Sequence, residues 1–499
     1  MNTMKQIISI FMVLFVLASC NKDFLNKQPH EFTDAVFWQT ADQAESALAG
    51  AYTPLQSEEA LGGEEWSAIS TFSDDSYLQD DGYPDFIAMS QFRATQNNEG
   101  DFSHNSYTEY YQTIKRATDV LNYTPSIKMD DAQKKRILGE ANFLKTWGYY
   151  ELARRYGGLP IYDSKNPAAA LVRKTEAETW AVIEKSIKEA TTQLAWEHQE
   201  GRPGLGAAWG LLAKVYAYEK KWAEAKTAAE TVINSGKHTL TSSYEDIFTI
   251  DHEHDSEILF GLGARLDEYP ITPVLMLPNN VWGGTHPEPM GEGWRLVSPT
   301  NAFYAAYQDG DLRKSATVAK RGVDIITYNG STDVLVAPNN KSEVVCVKYN
   351  SPYKERYVGW AAGLNVPALR YADVLLIETE AIMNLNGGGP GKTVGVSAAA
   401  VHFNKVRQRA GLPAIAAPTF ADLMYERRME LAFEGGDRHF DLVRWGLASS
   451  IYNSLPAEGS YKPARTYVDA THKLLPYPQK QIENSNGTIK QNPGYLGPH

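Results

Sequence analysis

Residues 426–446, ERRMELAFEGGDRHFDLVRWG, place Arg427, Glu430, Glu434, Arg438, Asp441 and Arg444 at spacings of three, four, four, three and three. Carboxylates this dense invite an acid–base reading. On a helix, however, residues three or four apart are neighbours, so these spacings stack opposite charges along one face. Leu431, Phe433, Phe440, Leu442, Val443 and Trp445 lie between them, which implies that the face is partly buried, where arginine grips carboxylates through paired hydrogen bonds. A general acid needs a carboxyl that holds its proton near neutral pH, and flanking guanidinium groups act in the opposite direction. The pattern therefore predicts a structural ion-pair network and no catalytic residue. Gly435-Gly436 is expected to divide the stretch into two helices, with charges bridging the break.

Two further clusters carry groups capable of chemistry. Asp251-His252-Glu253-His254-Asp255 places two histidines only two apart among acids, a spacing that suits a solvated turn better than a transition-metal site. Asp74, Asp75, Asp80 and Asp81 crowd another segment, without the spacing of an EF-hand calcium loop. No glycine-rich phosphate loop or nucleophile elbow stands out. The residues thus predict neither a metal nor a cofactor.

The elements that must position these groups are mostly helical. Thr40 with Gln43 forms a capping-box signature, and Ala44, Ala47, Leu48, Ala51, Tyr52 and Leu55 follow at helical spacing. Residues 134–156 form a second helix that stops at Gly157-Gly158 with Pro160 beyond; 174–195 and 204–236 continue the pattern. In the last of these, Trp209, Leu212, Ala213, Tyr216 and, after the Lys220-Lys221 turn, Ala225 fall on the key positions of a tetratricopeptide repeat. Residues 134–156 with 174–195, and 367–386 with 396–411, read as further pairs of the same kind. One repeat cannot bury its own face, so stacked units are expected. The fold class is therefore mainly α, an α-α superhelix of tetratricopeptide-like pairs, with Trp147, Trp180, Trp209 and Trp222 in its core. Residues 56–105 and 265–365 break this pattern. The second holds Pro270, Pro273, Pro278, Gly283, Gly284, Pro287, Pro289 and Pro299, too many breakers for a long helix. Irregular stretches of this length usually carry function.

With 499 residues, 43% of them hydrophobic, the chain can bury a large core, and a net charge of −12 argues against nucleic acid as partner. Cys20 and Cys346 are its two cysteines. Cys346, within the strand-like run Glu343–Lys348, reads as a small buried hydrophobe. At the start, Lys5 precedes an apolar run of about 13 residues, shorter than the roughly 20 a spanning helix needs. That pattern is a secretory signal peptide, and its end, Leu17-Ala18-Ser19-Cys20, resembles the lipobox of bacterial lipoproteins. The resemblance implies cleavage before Cys20 and acylation of that cysteine, giving a stable lipid anchor.

The C-terminal ladder, the tail Leu474-Leu475-Pro476-Tyr477-Pro478 and Gln491-Asn492-Pro493-Gly494-Tyr495 closely resemble the SusD/RagB family of outer-membrane nutrient-binding lipoproteins. So do Phe37-Trp38, Gly139-Glu140-Ala141 leading to Arg155–Pro160, and Arg370–Leu376. The resemblance implies residues 1–19 as signal peptide, 20–33 as lipidated tether and 34–499 as one SusD-like domain. Its helical elements lie at about 134–236 and 367–446, and its loop-rich ligand region at about 56–105 and 265–365. It also implies a non-enzymatic surface lipoprotein that binds oligosaccharides, or in some branches peptides, and serves as the lid of a SusC-like TonB-dependent outer-membrane transporter. Sugars present apolar C–H faces and hydroxyl edges, so their sites combine aromatic planes with polar acceptors. The candidates in the irregular regions are Trp66, Tyr77, Tyr83 and Phe86, with Trp282, Trp294 and Trp360. Asp74, Asp75, Asp80, Asp81, Asn279 and Asn280 are the polar partners. Trp282 and Trp294, within LPNNVWGGTHPEPMGEGW, are the first choice. The rival enzyme reading is a glycoside hydrolase, which needs two carboxyls about 5–9.5 Å apart across a sugar.

Overall fold

The computed structural model describes residues 37–57, 59–61, 69–78, 84–95, 100–166, 171–263, 297–320, 322–328, 331–334, 343–349, 364–458 and 462–496. Capping sets the start of the first helix, α1 (Ala41–Tyr52). The Thr40 hydroxyl accepts from the Gln43 amide at 3.3 Å, and the Gln43 side chain accepts from the Thr40 amide at 2.9 Å. Leu55, expected on this helix, lies past its end in the 3₁₀ turn Thr53–Gln56. Pro54 opens that turn and lacks the N–H that a continuing α-helix would use.

Helices α2 (Pro84–Ser90) and α3 (Gly100–Tyr123) follow. One lies within the stretch 56–105 that the sequence assigns to loop and the other begins there. The signal for α3 is a periodicity carried by aromatic and small residues: Tyr107, Tyr110, Ile114, Ala117 and Val120 are all buried. Next come α4 (Asp131–Tyr156), capped by Asp130, and α5 (Glu176–Gln193), opened by a Thr175–Glu178 capping box. The turn expected at Lys220-Lys221 separates α6 (Leu205–Tyr218) from α7 (Trp222–Asn234). Trp147 and Trp180 are buried, and Trp209 and Trp222 pack half-buried against the same core.

Beyond α7 the described helices are short until the C-terminal third: α8 (Asn301–Ala306) and α9 (Arg313–Thr317), then α10 (Tyr371–Leu385), α11 (Ala400–Arg409), α12 (Phe420–Glu430) and α13 (Asp437–Arg444). Sequential packing joins the long ones into a stack: α3 on α4, α4 on α5, α5 on α6, α6 on α7, α7 on α10, and α10 on both α11 and α12. The architecture is therefore mainly helical and built from paired helices. No helix among the described residues is long and apolar enough to cross a membrane.

Strands are minor. Those described are β1 (Ser76–Tyr77), β2 (Ile258–Leu262), β3 (Ser298–Pro299), β4 (Val318–Lys320), β5 (Ile325–Tyr328), β6 (Ser331–Val334), β7 (Val344–Cys346) and β8 (Val366–Arg370). They form antiparallel two-stranded pairs: β1 with β3, β2 with β8, β4 with β7 and β5 with β6. The β8 segment corrects the helix expected over 367–386. Pro367 has no N–H to donate, β2 offers a ladder, and the chain turns helical only after Arg370, which is still extended. Cys346 is buried in β7, and burial pushes its thiol up to about 12, so it stays an uncharged packing residue.

Between α12 and α13 the chain turns through Gly435 and Gly436, both with positive φ. A Cβ on Gly436 would come within 2.8 Å of the Ile69 side chain and 3.0 Å of its carbonyl oxygen. Glycine thus supplies both the left-handed conformation and the close approach of this turn to the segment that leads into β1.

Candidate functional site

Each member of the charged ladder finds a partner, and most of the partners lie outside the ladder. Arg427 donates to Asp441 at 2.8 Å across the glycine break, and Arg444 donates to Asp441 at 2.8 Å within α13. The other bonds run to distant elements. Arg427 also reaches Asp373 of α10 at 2.7 Å, and Arg444 grips both oxygens of Glu380 at 2.6 Å. Glu430 and Glu434 share Arg370 at the end of β8. Its Nε lies 2.6 Å from Glu434, and its Nη1 lies 2.9 Å from Glu430 and 2.6 Å from Glu257. Arg409 of α11 and Arg313 of α9 complete Glu430, and Lys348 completes Glu434 at 2.6 Å. Arg438 holds Asp74 through two bonds of 2.9 and 3.0 Å. Stacking of charges along one helix face is thus replaced by radial pairing, in which α12 and α13 form the hub.

A second branch runs inward through the helical pairs. Asp437 accepts from Arg154 of α4 at 2.7 Å and from Lys214 of α6, which also reaches Asp373 at 2.8 Å. Arg154, Lys214, Arg313, Lys348 and Arg370 carry no role in the sequence reading. The available signal was a single cation inside an apolar run, as in Leu211–Tyr216 or Val344–Lys348. Burial alone would raise the carboxyls of Glu151, Asp373, Glu430 and Asp441, but the adjoining cations overcome it and hold them below the usual range, Glu430 at about 2. These acids are ionised at neutral pH and saturated by donors, a state suited to clamping helices and unsuited to proton transfer.

Four candidate ligand residues fall in described segments. Asp74 and Asp75 are buried under Arg438 and Arg428, with Arg428 Nε 2.6 Å from Asp75. Tyr77 is buried in β1 and Phe86 in α2. All four candidates are thus buried: the Arg428 and Arg438 pairs and the β1–β3 ladder hold Asp74, Asp75 and Tyr77 in the core, and α2 holds Phe86 there. Cys20, the stretches 1–19 and 20–33, Trp66, Asp80, Asp81, Tyr83, Asn279, Asn280, Trp282, Trp294 and Trp360 lie outside the described residues. His252 bonds to Asp255 at 2.9 Å, whereas His254 lies 3.5 Å from Glu253 and 3.8 Å from Glu200. The two rings thus serve different acids.

A cleft of about 610 Å³ opens between the end of α1, the turn before α6 and the β2–β8 pair, a volume typical of small-molecule sites. Tyr52, Gln56, Arg202, His254, Gly263 and Asn365 contribute to its walls. The Tyr52 hydroxyl donates to Glu140 at 2.7 Å, and Arg202 donates to the same carboxylate at 3.0 Å while lying over the Tyr52 ring, 4.6 Å from its centre. Chain connectivity makes this cleft a focus. Gly263 immediately precedes the segment that carries Trp282 and Trp294. Asn365 follows closely on the one that carries Trp360, and Gln56 shortly precedes the one that carries Trp66. Gln56, Gly263 and Asn365, described residues far apart in sequence, thus meet at one cleft.

Comparison with known proteins gives this arrangement a family. Residues 272–495 match a model described as the SusD family, and residues 23–217 match one described as starch-binding associating with outer membrane. The chain belongs to the SusD family. A SusD-like protein of Bacteroides ovatus is 24% identical over 474 residues, covering 86% of this chain and 80% of the relative. Surface glycan-binding protein A from Bacteroides uniformis superposes with a TM-score of 0.76 at 22% identity, over 91% of this chain and 99% of its own. Surface glycan-binding protein A from Bacteroides thetaiotaomicron, in complex with laminarihexaose, does so with a TM-score of 0.75 at 21% identity, over 91% and 100%. These structures share the fold of this SusD-family chain over 91% of its length. The family matches cover Tyr52 and Arg202 on one side and Asn365 on the other. Residues 218–271, which supply His254 and the β2 wall of the cleft, lie between them.

Proposed function

We propose that this SusD-family chain is a lipid-anchored outer-membrane protein that captures oligosaccharides at its surface and passes them to a TonB-dependent transporter, without itself cleaving them. The observation that carries the reading is its fold-wide likeness to surface glycan-binding proteins, one of them solved with laminarihexaose. The starch-binding, outer-membrane description of the N-terminal family model supports it. So does the meeting at one cleft of Gln56, Gly263 and Asn365, each near a tryptophan-bearing segment in sequence.

The non-catalytic part rests on the burial of the described acidic pair. A glycosidase needs one carboxyl able to donate a proton and a second facing it across the substrate. In Asp74 and Asp75, burial favours the protonated form, but Arg438 and Arg428 outweigh it at Asp74 and hold it ionised. Both side chains are sealed from solvent by their arginines. Isothermal titration calorimetry with short neutral oligosaccharides, followed by chromatography of the recovered sugar, tests this. Binding with the sugar returned intact is expected, and shortened products would overturn it.

The anchor has its own test. Cys20→Ala should leave the fold unchanged and release the protein from membranes, because acyl chains supply membrane affinity at about 0.8 kcal/mol per buried CH₂. Fractionation in cells that lack the partner transporter decides it. A variant that still sediments with outer membrane would refute lipid anchoring.

A further inference from the structure

We infer that the cleft between α1 and the β2–β8 pair is a subsite for an uncharged sugar unit, with Gly50 holding it open and Arg202 reading its hydroxyls. The inference rests on the glycan-binding reading above and assigns it a place and a ligand charge. Gly50 lies in the last turn of α1, where glycine is a poorer helix former than alanine. Its φ is not in the left-handed region, and a Cβ there would meet nothing within 4 Å. Neither backbone conformation nor packing demands glycine at this position. What it preserves is open space at the cleft wall, where any larger side chain would project.

The charge of the ligand follows from how the wall is neutralised. Glu140 takes the Tyr52 hydroxyl, Arg136 at 2.6 Å and Arg202 at 3.0 Å, and Arg136 also pairs with Glu45 at 2.5 Å. Arg202 therefore contributes no uncompensated positive charge. His254 stands between Glu253 and Glu200, and the chain carries a net −12. Among the described residues of the wall, a uronate or sulfated sugar would meet acids with no spare cation, whereas a neutral sugar needs only donors, acceptors and a flat apolar surface. Arg202 is suited to that task. A guanidinium offers five N–H donors in a fixed fork, and stacking on Tyr52 holds it in place.

Titration calorimetry of the purified chain against neutral gluco-, manno-, galacto- and xylo-oligosaccharides, with oligogalacturonides as the acidic set, tests the inference. Wild type should bind a neutral oligosaccharide. Gly50→Ala should bind it within about twofold, while Gly50→Trp should lose about tenfold or more at an unchanged melting temperature. Arg202→Lys keeps the charge beside Glu140 but removes the fork, and should also lose about tenfold, which covers the case of a Gly50→Trp chain that fails to fold. If the folded variants bind as wild type does, the cleft is not the subsite and the glycan-binding reading still stands. Binding of oligogalacturonides alone overturns the neutral assignment. Binding of no sugar by wild type overturns both the inference and the reading beneath it.

Discussion

Arg370→Ala is expected to destabilise the fold by about 3–5 kcal/mol, the usual consequence of removing one partner from a buried ion pair. Arg370 is 1% exposed and serves Glu257, Glu430 and Glu434 together, besides donating to the Glu430 carbonyl at 2.9 Å. Without it each carboxylate keeps some donors: Glu257 keeps Arg409, Glu430 keeps Arg409 and Arg313, and Glu434 keeps Lys348. All three would nevertheless face one another in a dry interior with one cation fewer. Chemical denaturation followed by far-UV circular dichroism should show a clear drop in the urea midpoint. Sugar affinity per folded molecule should stay at the wild-type level, because Arg370 does not line the cleft. A double-mutant cycle with Glu434→Ala should be non-additive by about 0.5–3 kcal/mol. A variant as stable as wild type would mean that the network contributes nothing to holding β8 against α12.

Acid should unfold the chain through the same groups. Burial pushes the Glu430 carboxyl up, but Arg409, Arg370 and Arg313 reverse this and bring it to about 2, from an ordinary 4.5. A folded-state value below the unfolded one gives a contribution that is fully present above about pH 4.5. It is lost as pH falls toward about 2, since the unfolded chain takes up its proton first. At about 1.4 kcal/mol per unit, Glu430 alone contributes on the order of 3 kcal/mol. Glu151, Asp373, Asp441 and Asp74 are lowered as well and act with the same sign. Asp75 and Glu426, raised by burial, act with the opposite sign and offset part of this, since the fold takes up their protons before the unfolded chain does. The urea midpoint should therefore begin to decline below about pH 6.5, where the unfolded chain protonates before the buried His439, held down to about 3 by burial, and should fall more steeply between about pH 4.5 and 3. Arg370→Ala should show a shallower acid slope, because Glu430 loses one of the cations that hold it ionised. A midpoint unchanged between pH 5 and 3 would refute this account of the ladder.

Features that depend on neighbours a few residues away were legible in the sequence. Thr40 with Gln43 caps α1 as its spacing requires, the break at Gly435-Gly436 falls where the two glycines stand, and α4 stops at Gly157. The periodic apolar positions of α4 to α7 announced paired helices because each helix must bury one face against another. The ladder announced buried ion pairs because charges at helical spacing among aromatic and aliphatic residues have no other way to be accommodated.

Which group answers which charge was decided by tertiary structure. Arg438 meets Asp74 from 364 residues away, and Arg370 meets Glu430 from 60, and no local spacing encodes such pairings. The same packing withdrew Asp74 and Tyr77 from solvent and made a strand of residues 366–370, where local pattern suggested helix. It also brought Gln56, Gly263 and Asn365 together at one cleft. The physical reason is common to all of these. Capping and periodicity are satisfied within a few turns of chain, whereas desolvation obliges a buried charge or an unpaired strand edge to find its partner wherever the folded chain brings one.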